Sequence, residues 1–281
     1  MSDLVPPHGR DALLALLADD SEQAGLRDKA SRLKAIPMSS REKSDLLLLS
    51  MGAYTPLDGF MTESDWRGVC LDMKLESGLF WPVPVTLSAD AELANGIQIG
   101  EEVVLVDPEE HDLPMAIMTV TGIYQPDHVA ECEAVFGTTD EAHPGVQKVM
   151  AQGPFNLAGK VSVFDEGEFP SLFSELYVRP EESRQMFQEL GWSRVTAFQT
   201  RNPMHRSHEH LVKIAIDVTD GVFIHQVLGK LKPGDIPAEV RVRAIDAMIQ
   251  NYFAKGTAVQ AGYPIEMRYA GPREALFHAL I

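Results

Sequence analysis

"RVTAFQTRNPMHRSHEHLVKIAIDV", residues 194–218, changes its periodicity partway and so decides how the second half of the chain folds. Arg194 to Phe198 is rich in β-prone residues and predicts a strand, whereas from about Met204 to Val218 the apolar residues recur at helical spacing. A polar loop joins the two. Asn202 followed by Pro203 predicts an N-cap with proline at the first helical position. In a parallel α/β sheet, ligands bind at the carboxyl ends of strands, where such loops enter helices. Free backbone N–H groups and the positive end of the helix dipole would there add to Arg201, Arg206 and any protonated histidine. His205 and His208, three apart, share a helix face, so the cluster is expected to converge on one multiply charged anion.

Working outward, the same alternation continues on both sides. A helix is expected from about Glu181 to Leu190, closed by Gly191, then a strand from Val222 to Val227 and a helix from about Ala238 to Phe253. The strand-like "YPIEMRYA", 263–270, and a helix opened by Pro272 follow. Strands alternating with helices predict βαβ units and a parallel sheet. Upstream the texture differs. Asp11 to Leu17 and Ser39 to Ser50 carry helix-like spacing, and "LFWPVPVTLSAD" (79–90), "EEVVLVDP" (101–108) and "PMAIMTVTGIY" (114–124) predict strands of a small mixed sheet. The prolines within "WPVPV" require an edge or a strand start, since they cannot donate to a ladder. The change of texture places the boundary near Val161, giving domains 1–160 and 161–281.

Composition narrows the partners. With 41 acidic against 24 basic side chains and a formal net charge of −17, broad contact with nucleic acid or an anionic membrane is repelled at long range. Small molecules, or anions captured locally, are the expected partners. Cys70 and Cys132 lie far apart and outside any C-x-x-C spacing, so buried thiols are expected rather than disulfides or a zinc ribbon. The opening "MSDLVPPHGRDALLALL" lacks the basic leader and cleavage site of a secretory signal, and no apolar run approaches membrane-spanning length. The expected location is cytoplasmic.

Each feature also has a plainer reading. A solvated helix start would pair its cations with nearby carboxylates, and His205, His208 and His210 are all zinc-ligand types, although the H-E-x-x-H arrangement is absent. "LGKLKPGDIP", 228–237, is either a phosphate-side or lid loop or a surface turn. Arg273 could face an anion, but a cap with a core face of Ala275, Leu276 and Ala279 is the simpler expectation. His225, in the apolar "VFIHQV", reads as a core histidine, and the acidic runs "PEEHD" and "FDEGE" read as solvated loops.

"QTRNPMHRSH" resembles the signature of the ATP sulfurylases (sulfate adenylyltransferases), a family of the nucleotidylyltransferase superfamily with an H-x-x-H phosphate-binding element. "LVPPHG", "GAYTPLDGFM", "LFWPVPVTL", "AHPGVQKV", "KPGDIP" and "GYPIEMRYAGPREALFHALI" resemble further pieces of that family in its order, so the likeness covers essentially the whole chain. It implies an α/β protein with an N-terminal PUA-like β-rich domain followed by a Rossmann-like parallel-sheet nucleotidylyltransferase domain. It further implies that ATP and sulfate give adenosine 5′-phosphosulfate and pyrophosphate, or the reverse, with Mg²⁺ accompanying ATP and no protein-bound metal, in a homo-oligomer. Carried over by position, Gln199 and Arg201 would hold sulfate and nucleotide; Thr200, Arg201 and Asn202 would be catalytic, and His205 and His208 would steady phosphates and transition-state charge. Family chains continue into a Gly-Arg-Asp-His-Ala type loop completing the sites, and no Gly-Arg-Asp-His string occurs within these 281 residues. Two other functions fit less of the pattern: another H-x-x-H nucleotidylyltransferase, or a module that binds ATP or sulfate without turnover.

Overall fold

The computed structural model describes residues 4–229 and 236–281. The chain divides into two compact units, one made of Pro7–Gly167 with Met267–Ile281, the other of Glu168–Glu266 with the residues before Pro7.

The first unit contains α1 (Asp20–Ala30), β1 (Lys34–Pro37), α2 (Ser40–Ser50), β2 (Gly59–Phe60), α3 (Glu63–Asp72), β3 (Leu87–Ala89) and α4 (Ala91–Asn95). It continues through β4 (Glu102–Asp107), β5 (Leu113–Tyr124), α5 (His128–Phe136), α6 (Pro144–Met150) and β6 (Phe155–Val163). Its strands form one mixed sheet in the order β1-β4-β5-β6-β2, with β3 also on β6; β1 runs parallel to β4 and the other pairs are antiparallel. Val103, Leu105, Met115 and Met118 are buried along its central strands and make it a core rather than a surface ribbon. The boundary near Val161 falls inside β6, and the compact unit runs on to Gly167.

Before Gly167, three expectations about local structure are corrected. Asp11 to Leu17 forms no helix. Leu16 and Leu17 donate their N–H groups to the carbonyl of Ser50, and Ala18 N–H bonds Val163 O at 2.8 Å, so tertiary partners take the groups a helix would have used. Of "LFWPVPVTLSAD" only Leu87–Ala89 is strand, because Pro82 and Pro84 remove the donors that pairing needs. The acidic run 164–168 is not a solvated loop throughout: Glu166 is buried and accepts the hydroxyl of Ser50 at 2.5 Å. The expected helix over Ser39–Ser50 does form, as α2, and Ser39 and Glu42 close a reciprocal capping box at its start.

The second unit holds α7 (Phe169–Leu172), α8 (Pro180–Glu189), β7 (Val195–Thr200), α9 (Arg206–Val218), β8 (Gly221–Val227), α10 (Ala238–Tyr252) and β9 (Ala258–Tyr263). β7, β8 and β9 form a wholly parallel sheet in that order, with crossovers through α9 and α10. Its core gathers Met204, Val212, Val222, Ile224 and Ile245, with Phe198, Ile216 and Ile249 packed against them. The third strand is Ala258–Tyr263, not the "YPIEMRYA" segment, which leaves the sheet after Tyr263.

The last helix, α11 (Pro272–Leu280), belongs to the first unit. Its inward face is Glu274 and Phe277, while Ala275, Leu276 and Ala279 are exposed, opposite to expectation. Phe277 packs against Tyr54 and Trp81 with ring centroids 5.4 and 5.8 Å away, and Glu274 accepts the N–H groups of Arg268 and Ala270. Large aromatic area outweighs two alanines and a leucine in choosing the buried face.

Candidate anion site at the start of α9

β7 delivers its carboxyl end to the loop that opens α9. Strand alternation sends Phe198 to the core and leaves Gln199 exposed. Gln199 Nε2 donates to the hydroxyl of Tyr263, 2.5 Å away at the end of β9, and the Tyr263 ring stacks on His225 with centroids 3.8 Å apart and 14° between planes. His225 is thus half-buried in a stack behind Gln199 rather than sealed in the core.

Thr200 ties the turn. Its hydroxyl accepts the N–H of Asn202 at 3.1 Å and donates to the Asn202 carbonyl at 2.9 Å, holding the chain in a compact bend. Met204 is then buried against Val212 and Ile224, so the loop is anchored by an apolar plug between its polar residues. These two constraints move the helix start. The N-cap is His205, not Asn202, and Arg206 is the first residue of α9.

The cap itself is built from imidazoles. His205 Nδ1 accepts the N–H of Ser207 at 3.4 Å, and His208 Nδ1 accepts the N–H of His205 at 3.2 Å, a reciprocal arrangement that satisfies two of the donors a helix start leaves over. The ring centroids are 4.0 Å apart. An Nδ1 that accepts carries no proton, so each neutral ring carries its hydrogen on Nε2 and offers it as a donor. His208 also meets Phe198 edge-on at 5.9 Å. Burial first, and then the neighbouring His205, lowers the pKa of His208 below its ordinary value, which favours the neutral ring.

Arg201 is half-buried at the exit of β7, and Arg206 and His210 are exposed. Among the described residues, none of His205, Arg206 and His208 forms an ion pair with a carboxylate, whereas Lys213 does pair with Glu209 one turn further on. Gln199, Thr200, Arg201, Asn202, His205 and His208 therefore lie within one strand exit and one helix start. The donor set is a guanidinium, two imidazoles, amides and backbone N–H groups. Such a set suits phosphate or sulfate oxygens, and it holds none of the oxygen anions that a hard divalent cation seeks. No group of three His, Cys, Asp or Glu among the described residues is placed to hold a metal ion.

Arg273 lies elsewhere, half-buried in the first unit, where it donates to the carbonyls of Val69 and Cys70 at 2.9 and 3.0 Å. Most of the "LGKLKPGDIP" loop lies outside the described residues. Sequence reasoning missed Met204 as the plug, Tyr263 as the partner of Gln199, and Arg241, whose guanidinium donates to the carbonyl of Arg201 at 3.0 Å. Only the apolar character of Met204 in a polar loop could have pointed to any of these.

Known proteins agree with this layout. A family model described as a PUA-like domain matches residues 5–166, and one described as ATP-sulfurylase matches residues 174–281. A sulfate adenylyltransferase of Syntrophobacter fumaroxidans is 55% identical over 282 residues, covering 100% of this chain and 68% of the relative. A sulfate adenylyltransferase of Thiobacillus denitrificans is 55% identical over 280 residues, covering 100% of this chain and 69% of the relative. Among solved structures, one titled as the hexameric APS kinase from Thiobacillus denitrificans superposes with a TM-score of 0.77 at 26% identity, over 99% of this chain and 50% of that one. A β-rich PUA-like unit, a parallel-sheet unit with an imidazole-capped helix, and more than half of all residues shared with these enzymes place the chain in the ATP sulfurylase (sulfate adenylyltransferase) family of nucleotidyltransferases.

Proposed function

We propose that the loop from Gln199 to His208 binds ATP and sulfate side by side and transfers the adenylyl group between pyrophosphate and sulfate. The observation that carries this reading is the start of α9: two imidazoles 4.0 Å apart, with Nε2–H groups to donate, stand beside exposed Arg206 and follow Arg201 by four and seven residues. Sulfate is fully ionised at neutral pH, so its oxygen attacks the α-phosphorus without a general base. The new bond joins sulfate oxygen to phosphorus; the phosphorus–oxygen bond to the β-phosphate breaks, and its electron pair leaves with pyrophosphate. No proton changes hands. The obstacle is repulsion between a dianion and a polyanion, and the residues act on that obstacle.

Gln199 and Arg201 hold sulfate and nucleotide, Arg201 as a planar fork matching two oxygens of a tetrahedral anion. Thr200 acts by holding the turn through both backbone groups of Asn202, and the exposed Asn202 side-chain amide faces the reacting phosphate. His205 and His208, with the N-terminal N–H groups of α9, offset the charge gathering on the departing pyrophosphate. Mg²⁺ accompanying ATP would supply further neutralisation of phosphate charge. Positioning and electrostatics thus supply most of the catalysis.

The net charge of −17 speaks against nucleic acid as a partner, and no described helix is long and apolar enough to cross a membrane. Because ATP is a substrate, the reading places the protein in the cytoplasm, and the hexameric structural neighbour supports a homo-oligomer. Incubating the protein with adenosine 5′-phosphosulfate, pyrophosphate and Mg²⁺ should generate ATP, read by luminescence. Binding of both ligands without ATP would favour a non-catalytic module, and failure to bind either would overturn the assignment.

A further inference from the structure

Arg241 sits in the first turn of α10 with none of its surface exposed, one turn before the buried Ile245. Fully buried arginines are rare, because removing a guanidinium from water is costly unless its donors are matched. One nitrogen, Nη1, donates at once to the carbonyl of Arg201 at 3.0 Å and to the carbonyl of Val227 at 2.9 Å. Those oxygens belong to the residue just after β7 and the last residue of β8, so one side chain ties together the exits of two parallel strands. The exit of β8 is also confined from another direction. Gly229 passes so close to the next strand's continuation that a Cβ there would lie 2.2 Å from the carbonyl oxygen of Ile265.

We infer that Arg241 is a positioning residue for the anion site, fixing the backbone from which the Arg201 side chain departs. This rests on the assignment of Arg201 to sulfate and nucleotide. A backbone carbonyl held by a buried, permanently charged donor cannot swing as a surface loop does, so the Arg201 fork meets its anion already placed. A lysine here would keep the charge, but on a shorter stem and without the rigid guanidinium plane that fixes where Nη1 aims its two hydrogens, and so could not hold both oxygens in the same geometry. Misplacement by about 1 Å is enough to cost on the order of a hundredfold in rate.

Arg241→Lys and Arg241→Gln should be compared with the unaltered protein in the ATP-forming assay, in thermal unfolding, and in amide hydrogen exchange of residues 200–207. The expected result is a variant that unfolds cooperatively, exchanges faster at 201–205, and loses roughly ten- to hundredfold in kcat/KM for adenosine 5′-phosphosulfate. Lysine should retain more activity than glutamine. A purely structural arginine would instead lower the unfolding temperature while leaving exchange at 201–205 and the kinetics of the folded fraction unchanged, and that outcome would overturn the inference. If the unaltered protein neither forms ATP nor binds either substrate, the assignment of the site fails and carries this inference with it. If it is active and both variants match it, only the role of Arg241 fails.

Discussion

The protein keeps cations in two opposite ways. In the unit of Pro7–Gly167 and Met267–Ile281, Arg41 and Arg268 are buried beside Asp45, Glu42 and Glu131, which are buried too. Arg268 donates to the Asp45 carboxylate oxygen that also accepts the Tyr54 hydroxyl at 2.8 Å. Burial tends to lower the pKa of Arg268, but Asp45 and Tyr54 together outweigh it and the net shift is upward. Arg41, whose burial is compounded by Arg268 beside it, is pulled down to about 10 and still stays charged at neutral pH. Glu131 is pushed up by burial, against the Trp66 indole N–H that it accepts at 2.7 Å. In the other unit, exposed His205 and Arg206 and half-buried His208 have no carboxylate partner among the described residues. A charge removed from water must find its partners, carboxylate or carbonyl, within the chain, whereas one at a hydrated helix start can wait for a diffusible anion.

The contrast is open to direct attack, and its largest expected effect lies in the buried network. Asp45→Ala leaves Arg268 buried without its carboxylate and should destabilise the protein by about 3–5 kcal/mol in urea unfolding. Replacing Asp45 and Arg268 together with apolar residues should cost clearly less than that single change; an equal cost would mean the pair is not the unit of stability. Next in size, Arg201→Lys should leave unfolding unaffected and raise the activation barrier by about 3 kcal/mol, the scale of losing one transition-state donor. A folded variant turning over normally would remove Arg201 from the reaction.

A smaller effect concerns His208. Its pKa in the free protein is lowered, and a bound anion favours the protonated ring at the expense of the bond that His208 Nδ1 accepts from the His205 N–H, so binding takes up a proton. Pyrophosphate affinity should therefore strengthen as pH falls from about 8 toward about 5 and flatten once the free ring is also protonated. Calorimetry on His208→Gln should show most of that slope gone, at a cost of about tenfold in affinity at the acid end.

The smallest effect appears only in acid. Asp220 accepts the Ser193 hydroxyl and the N–H groups of Arg194 and Ser193, which hold its pKa near 2, below the ordinary 3.8. A depressed carboxyl pKa contributes stability that is present above pH 3.8 and lost as pH falls through about 2. Asp220→Asn should flatten that limb of the acid unfolding curve and change little at neutral pH.

How legible the molecule was depended on the range of the interaction. β7, α9, β8 and α10 follow from periodicity, since alternation and helical spacing are repeated within a few residues. The start of α9 was misread by three residues. Proline chemistry favours Asn202 as cap, but the Thr200 hydroxyl holds Asn202 in a bend and Met204 must reach the core before the helix begins. Asp11 to Leu17 has helical spacing and no helix, because Ser50 and Val163 take its backbone bonds. Arg241 looks like any cation in the first turn of a helix, and its burial depends on where β7 and β8 end.

By itself the sequence determined the signature around Gln199 to His208, the alternation of strands and helices behind it, and the family to which they belong, because each is written in neighbours a few positions apart. Tertiary structure alone decided which cations are neutralised and which face solvent, and that residues 267–281 complete the unit begun at Pro7. The reason is distance along the chain: Asp45 and Arg268 are 223 residues apart, and only closure of the fold brings a carboxylate to a guanidinium that local patterning cannot see.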